Sequence, residues 1–394
     1  MTTRSSLAAA LTTLALTFAV GCGAATSDAT GEDANGASTG DTLGVRVPGT
    51  GDEATGAVKA AASGASAANA SLVPDVKLPY RGINLSGGEF GDALPGILGR
   101  DYKWPTTDEV DYFMAKGMNT FRVGFKWERM QPVANADFNA VYFAGLEDVV
   151  DYATSKGAHV VLNPHNYAHY YGVQVGTLVV PNSVFANFWS RMATKFKNNP
   201  RVIFNLTNEP HDIPTEQWVG AANAAIAAIR EAGATNLIHV PGNGWTGAHS
   251  WGSSYYGTPN AVAMLKITDP ADNYAFEVHQ YLDTSSGGQL QTCVSKTIAS
   301  ERMKGFIDWL RANKKRGFLG EFAGGNNDTC NAAVKDMLAT LENASDVMEG
   351  WLWWAAGPFW KNYGFSLEPS NGQDGPQMAL LAPSLAALKA ATNR

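Results

Sequence analysis

The feature that most restricts this chain is a repetition. From Leu78 onward, short runs rich in β-branched and aromatic residues alternate with longer stretches patterned for helix. The candidate strands are Arg81–Ser86, Thr120–Trp127, His159–Asn166, Val202–Pro210, Leu237–Gly242, Ala275–Leu282, Gly317–Phe322 and Glu349–Ala355, eight in all. Helical segments fall at Thr107–Lys116, Phe143–Lys156, Val184–Asn198, Thr215–Ala232, Glu301–Asn313, Asn331–Glu342 and Pro383–Ala391. Thr107 and Thr215 read as N-caps, and Gly117, Gly157 and Gly233 as left-handed caps after a last turn. Near-continuous apolar strands separated by helices call for a parallel sheet buried on both faces and closed on itself, so the expected fold is α/β, a (β/α)8 TIM barrel. The competing open, doubly wound sheet lacks support. Its first strand–helix turn, Leu85-Ser86-Gly87-Gly88-Glu89, has no Gly-x-Gly-x-x-Gly fingerprint.

Upstream of the repeats the composition changes. Residues 1–22 run from Arg4 through an apolar stretch, Leu7 to Val20, to Gly21-Cys22, the order of an export signal and too short for a mature membrane span. Cys22 after Ala19-Val20-Gly21 resembles the box at which bacterial lipoproteins are cleaved and acylated, so a lipid tether on Cys22 is expected, with an ordinary secreted protein cleaved nearby as the alternative. Residues 23–74 are mostly Gly, Ala, Ser, Thr, Asp and Asn, a composition that does not offset its conformational entropy by burial and reads as a linker. The barrel is expected over residues 75–394, without a separate carbohydrate-binding module. With Cys22 lipidated, Cys293 and Cys330 are left either to pair in an oxidising compartment or to stay as buried thiols, and export favours the bridge.

Barrel active sites lie at the C-terminal ends of the strands. The run Val202–Pro210 ends in Asn208-Glu209-Pro210, and Gly317–Phe322 carries Glu321. Proline would stop the first run and leave Asn208 and Glu209 at its tip. The other predicted tips bring Arg122, Trp127, His165, His279, Tyr281, Trp353 and Trp354. Singly, a strand histidine or a tryptophan pair is explained by packing. Together they place two acids, two histidines and an arginine in one cup, which packing alone does not favour. The partner class follows from charge: net −7 with no basic cluster excludes a nucleic-acid footprint, while eleven Trp and thirteen Tyr suit an uncharged sugar polymer.

Two carboxylates across an aromatic cleft are what glycoside hydrolysis needs. Arg122 is expected to keep Glu321 charged, with Glu209 in a setting that raises its pKa. Asn208 is expected to bond a sugar 2-OH, His279 to support the acid and Tyr281 to orient the nucleophile. A metal centre on His165 and His169 is not expected, because that spacing binds zinc on a helix with a Glu between, and here it follows a strand. No cofactor is expected.

His165 after a strand, Asn208-Glu209-Pro210-His211-Asp212, Pro241-Gly242-Asn243-Gly244-Trp245, Val278-His279-Gln280-Tyr281, Gly320-Glu321-Phe322-Ala323-Gly324-Gly325-Asn326 and Trp353-Trp354-Ala355-Ala356-Gly357-Pro358 together resemble glycoside hydrolase family 5, in its endo-β-1,4-glucanase branch. The likeness runs from about Arg81 to Ser366. It implies a retaining (β/α)8 endoglycanase with Glu209 as general acid/base and Glu321 as nucleophile, surrounded by Arg122, His165, Asn208, His279, Tyr281 and Trp354. It also implies a Cys293–Cys330 disulfide. The loop Tyr167–Val180 and Trp245, Trp251, Tyr255, Tyr256 and Trp360 are expected along the outer cleft. The expected substrate is a β-1,4-glucan cut by a monomer, the alternatives being mannan, mixed-linkage glucan or xyloglucan, or a surface lipoprotein that binds glycan without cutting it.

Overall fold

The computed structural model describes residues 76–360 and 363–392. The expected export signal with Cys22, residues 1–22, and the expected linker, residues 23–74, lie outside the described residues. The eight barrel strands are β1 (Tyr80–Leu85), β2 (Thr120–Phe125), β3 (His159–Pro164), β4 (Val202–Asn205), β5 (Ile238–Pro241), β6 (Tyr274–His279), β7 (Gly317–Phe322) and β8 (Met348–Ala356). Each runs parallel to its neighbours, and β8 pairs with β1, Tyr80 opposite Gly350, to close the barrel. The surrounding helices are α1 (Thr107–Ala115), α2 (Ala140–Ser155), α3 (Asn182–Phe196), α4 (Thr215–Glu231), α5 (Ile298–Asn313), α6 (Asp328–Asn343) and α7 (Met378–Thr392). Between β5 and β6 only a single turn, Asn260–Ala263, and a 3-10 turn take the place of a long helix.

Side chains on a strand alternate between faces, and that alternation sorts the barrel into a dry layer and a polar one. Outward residues such as Val160, Leu162, Phe204, Phe276, Val278 and Trp351 join the large core beneath the helices. Inward, Val161, Ile203, Ala275, Phe318 and Leu352 form a separate apolar plug. Two residues further along the same inward faces come Asn163, Asn205, Glu277, Gly320 and Trp354, and His165 follows just past β3 and His279 at the end of β6. The floor of the cup is therefore polar because β3, β4 and β6 switch from apolar to polar residues at one level.

Several local expectations are corrected. α1 is capped by Thr106, not Thr107, since only Thr106 has a glutamate three residues on and forms the reciprocal box with Glu109. Thr215 lies inside α4, whose N-cap is Pro214; its hydroxyl receives the Asn243 amide at 3.1 Å instead. β4 stops at Asn205 rather than at Pro210. Leu206 still donates to His239 O at 3.1 Å, then Asn208 N turns to Pro164 O at 2.8 Å, leaving the ladder. Trp127 and Trp353 do not face the cup. Trp127 opens a one-turn helix and is buried against Tyr170, Phe185 and Phe188, while Trp353 points outward, its indole N–H on Phe365 O. The glycine caps are as expected, with Gly117, Gly157 and Gly233 at φ 97°, 92° and 86°. Cys293 and Cys330 form a disulfide, Cα atoms 5.1 Å apart, tying the β6–α5 loop to the first turn of α6.

Candidate active site

The cup is organised by one inward arginine. Arg122 stands in the middle of β2, not at its tip, and is 1% exposed. Nη1 donates to Asn84 Oδ1 at 2.8 Å and to Glu321 Oε1 at 2.7 Å; Nη2 donates to Asn208 Oδ1 at 2.7 Å and lies 3.2 Å from Glu277 Oε1. A planar fork with donors on both arms can hold β1, the β4 exit, β6 and β7 in one plane.

His279 links the two expected acids. Its Nδ1 is 2.7 Å from Glu209 Oε1 and 3.4 Å from Glu321 Oε2, and its Nε2 is 3.1 Å from Glu277 Oε1. Tyr281, just past β6, donates its hydroxyl to Glu321 Oε2 at 2.7 Å. One carboxylate oxygen each from Glu209 and Glu321 lies within 4.8 Å of the other. Glu321 is almost fully buried, whereas the Glu209 side chain is 18% exposed to the cleft. Glu209 also sits at φ 35°, a left-handed backbone for a residue with a Cβ, of the sort that costs about 1–3 kcal/mol and persists where the surroundings enforce it.

The charges differ from expectation in one respect. Burial pushes the Glu321 carboxyl upward, a tendency opposed by the His279 and Arg122 charges and reinforced by Glu209, so that it lies above the usual carboxylate range. Burial also works against a charge on His279, but Glu321, Glu209 and Glu277 outweigh it and raise the imidazole to about 9. His165 moves the opposite way. Burial and, after it, the nearby Arg122 charge hold it well below the usual histidine range. Glu209, His279 and Glu321 are near enough to share a cation. An imidazolium and a guanidinium already occupy that role, and they compete with any metal for the same oxygens. His165 and His169 are committed separately, the first to the Asn163 amide at 2.9 Å and the second to Tyr167 O at 2.8 Å.

An unbroken chain of ring contacts crosses the cup. Trp360 meets Trp354 edge-on at 5.9 Å, Trp354 stacks on His165 at 5.9 Å, His165 meets Tyr167 at 5.4 Å, Tyr167 meets His211 at 5.2 Å, and His211 stacks on Trp245 at 4.8 Å and 17°. Tyr256 and Tyr255 continue it past Trp245. Trp245 is 37% exposed. Trp251, expected with them, is instead core: it is 2% exposed and packs edge-on against Phe276, Phe306 and Trp309. Asn208 gives its carbonyl oxygen to Arg122 and its side chain bonds the Tyr167 hydroxyl.

Arg122, His165, Asn208, Glu209, His279, Tyr281, Glu321 and Trp354 thus converge, with Trp245 and Trp360 further along the aromatic track. Sequence reading missed Glu277 and Asn84, and it gave no individual role to Tyr167, which opens the loop expected along the outer cleft, or to His211, which stands in the Asn208–Asp212 motif. Glu277 left a signal: an acid in an apolar strand two residues before His279 must share its inward face.

The model of the cellulase family, glycosyl hydrolase family 5, matches residues 77–357. The chain belongs to glycosyl hydrolase family 5. Among members of this family, endo-β-1,4-glucanase B of Aspergillus niger is 43% identical over 292 residues, covering 74% of this chain and 85% of that protein. An endo-β-1,4-glucanase of Xanthomonas axonopodis pv. citri has a solved structure with 48% identity and a TM-score of 0.77, covering 78% of this chain and 99% of its own. XacCel5A, solved in complex with cellopentaose, is 45% identical, with a TM-score of 0.77 and coverage of 78% and 99%. The family 5 barrel is the fold described above, with its cup at the C-terminal ends of the strands.

Proposed function

We propose that this family 5 chain is a retaining endo-β-1,4-glucanase. The observation that carries the reading is the pair of carboxylate oxygens on Glu209 and Glu321 within 4.8 Å of each other, beside an aromatic track. Retaining glycosidases hold their two carboxyls about 5–5.5 Å apart, and inverting ones about 6.5–9.5 Å to admit a water. In this reading Glu321 attacks the anomeric carbon while Glu209 protonates the departing glycosidic oxygen; Glu209 then takes a proton from water as it releases the glycosyl-enzyme. Arg122 and Tyr281 aim the Glu321 oxygens, and His279 holds Glu209. Trp354, Trp245 and Trp360 carry the sugar rings on their faces. The glucan preference is supported by the endo-β-1,4-glucanases named above, at 43–48% identity.

Release of reducing ends from a panel of soluble polysaccharides tests it. The expected result is turnover of a soluble cellulose derivative ahead of mannan, mixed-linkage glucan and xyloglucan. Faster turnover of any of the others reassigns the substrate, and binding without release marks a lectin-like surface protein. Secretion is part of the same reading, supported by the apolar segment from Leu7 to Val20; acylation of Cys22 is checked by the mass of the mature N-terminal peptide.

A further inference from the structure

The buried glutamate beneath the cup is not one of the two reacting acids, yet it touches both cations that face them. Glu277 is fully buried on β6. Its Oε1 is 3.1 Å from His279 Nε2 and 3.2 Å from Arg122 Nη2, and its Oε2 is 3.3 Å from His239 Nδ1. Room for it is made on the neighbouring strand: a Cβ on Gly320 of β7 would stand 2.5 Å from Glu277 Oε1. A fully desolvated carboxylate without a reacting partner is costly unless its contacts hold it charged.

We infer that Glu277 is a positioning residue for proton transfer: by holding the Nε2–H of His279 it makes Nδ1 the one nitrogen of that ring that trades a proton with Glu209. The inference rests on the reading of Glu209 as acid/base. His279 is faced by Glu209 from the β4 exit, Glu321 from β7, Glu277 from its own strand and His165 from the end of β3, while Arg122 of β2 and His239 of β5 reach Glu277. Burial opposes charge on Glu277, but Arg122 and the two histidines hold its carboxyl well below the usual range, so it stays ionised.

The protons balance as follows. The scheme starts from His279 with a proton on each nitrogen and from the carboxylate form of Glu209 as its Nδ1 partner. Transfer of the Nδ1 proton to Glu209 Oε1 gives a neutral ring, still protonated on Nε2 toward Glu277, and a neutral acid ready to donate to the leaving oxygen. When Glu209 later takes a proton from water, Nδ1 is the acceptor that can receive it again. Glu277 touches no sugar in this scheme. It fixes the tautomer and keeps the pair's last proton in place at higher pH.

The test is the titration of the His279 imidazole nitrogens by NMR, with the signal assigned by its loss in His279→Gln. The expected result in the wild-type protein is protonation of both nitrogens at about pH 7, with titration near 9. A neutral ring at that pH overturns the inference, whether or not any variant folds. In Glu277→Gln, whose amide keeps the volume and an oxygen toward His279 and Arg122, the titration and the alkaline limb of kcat/KM should both fall by about one pH unit or more. If both stay in place, the glutamate is structural only. The imidazole signal needs no turnover, so it separates failure of this inference from failure of the assignment of Glu209, which activity of Glu209 variants decides.

Discussion

Arg122 Nη1 donates to Glu321 Oε1 at 2.7 Å, from a strand position at which the guanidinium also holds Asn84 and Asn208. One planar fork therefore fixes the expected nucleophile and its neighbours at once. A lysine offers a point charge and no second arm. Arg122→Lys should lower kcat about a hundredfold or more, and cost about 3–5 kcal/mol of stability by leaving buried acids underpaired. Steady-state kinetics and urea unfolding check both; a variant with near-normal kcat shows that Arg122 only fills space.

The proposed mechanism gives Glu209 and Glu321 different roles. With Glu209 as proton donor and base, Glu209→Ala should lower turnover of polymer by about 10²–10⁴. With an aryl glycoside whose leaving group needs no acid, the intermediate still forms, and azide can attack it without a base. Azide should therefore restore the rate and yield a β-glycosyl azide, read by NMR. No response to azide, or an α product, contradicts the assignment.

Trp354 stacks on His165 at 5.9 Å with its ring partly open to the cleft. Trp354→Ala should lower kcat/KM about ten- to a hundredfold through loss of an aromatic face under the sugar. KM and kcat on cellooligosaccharides decide it. If both are unchanged, the tryptophan is packing.

The Cys293–Cys330 bridge closes a segment 37 residues long. Chain entropy alone gives such a loop about 4 kcal/mol, lost in Cys293→Ser/Cys330→Ser. Denaturant midpoints with and without reductant measure it. A reductant-insensitive wild-type protein with an unshifted double variant would show that the link adds nothing.

The barrel was legible because eight apolar strands and their glycine-capped helices repeat a local pattern that packing cannot reinterpret. Glu209, Glu321 and His279 were legible as acids and a base at strand ends, where the fold must point them inward. Trp251 and Trp127 were misread because an indole has the same sequence signature in a cleft and in a core, and only the partner rings on other elements separate the two. Glu277 was missed for a related reason. Its charge looks like a solvated acid until Arg122 and His279, from distant parts of the chain, are seen to surround it. The left-handed backbone at Glu209 has no marker in the sequence either, since glycine, the residue that announces such a turn, is absent there.

The most direct test of the account is the site of the covalent intermediate. A 2-deoxy-2-fluoro cellobioside with an activated leaving group forms a glycosyl-enzyme that releases slowly, because the fluorine destabilises the oxocarbenium-like transition state of both steps. Mass spectrometry of the digested adduct should place one 2-deoxy-2-fluorocellobiosyl unit on the peptide that contains Gly317–Phe322, at Glu321, with the label absent in Glu321→Gln. No adduct on an active protein, or a label on Glu209, would contradict the double displacement described here.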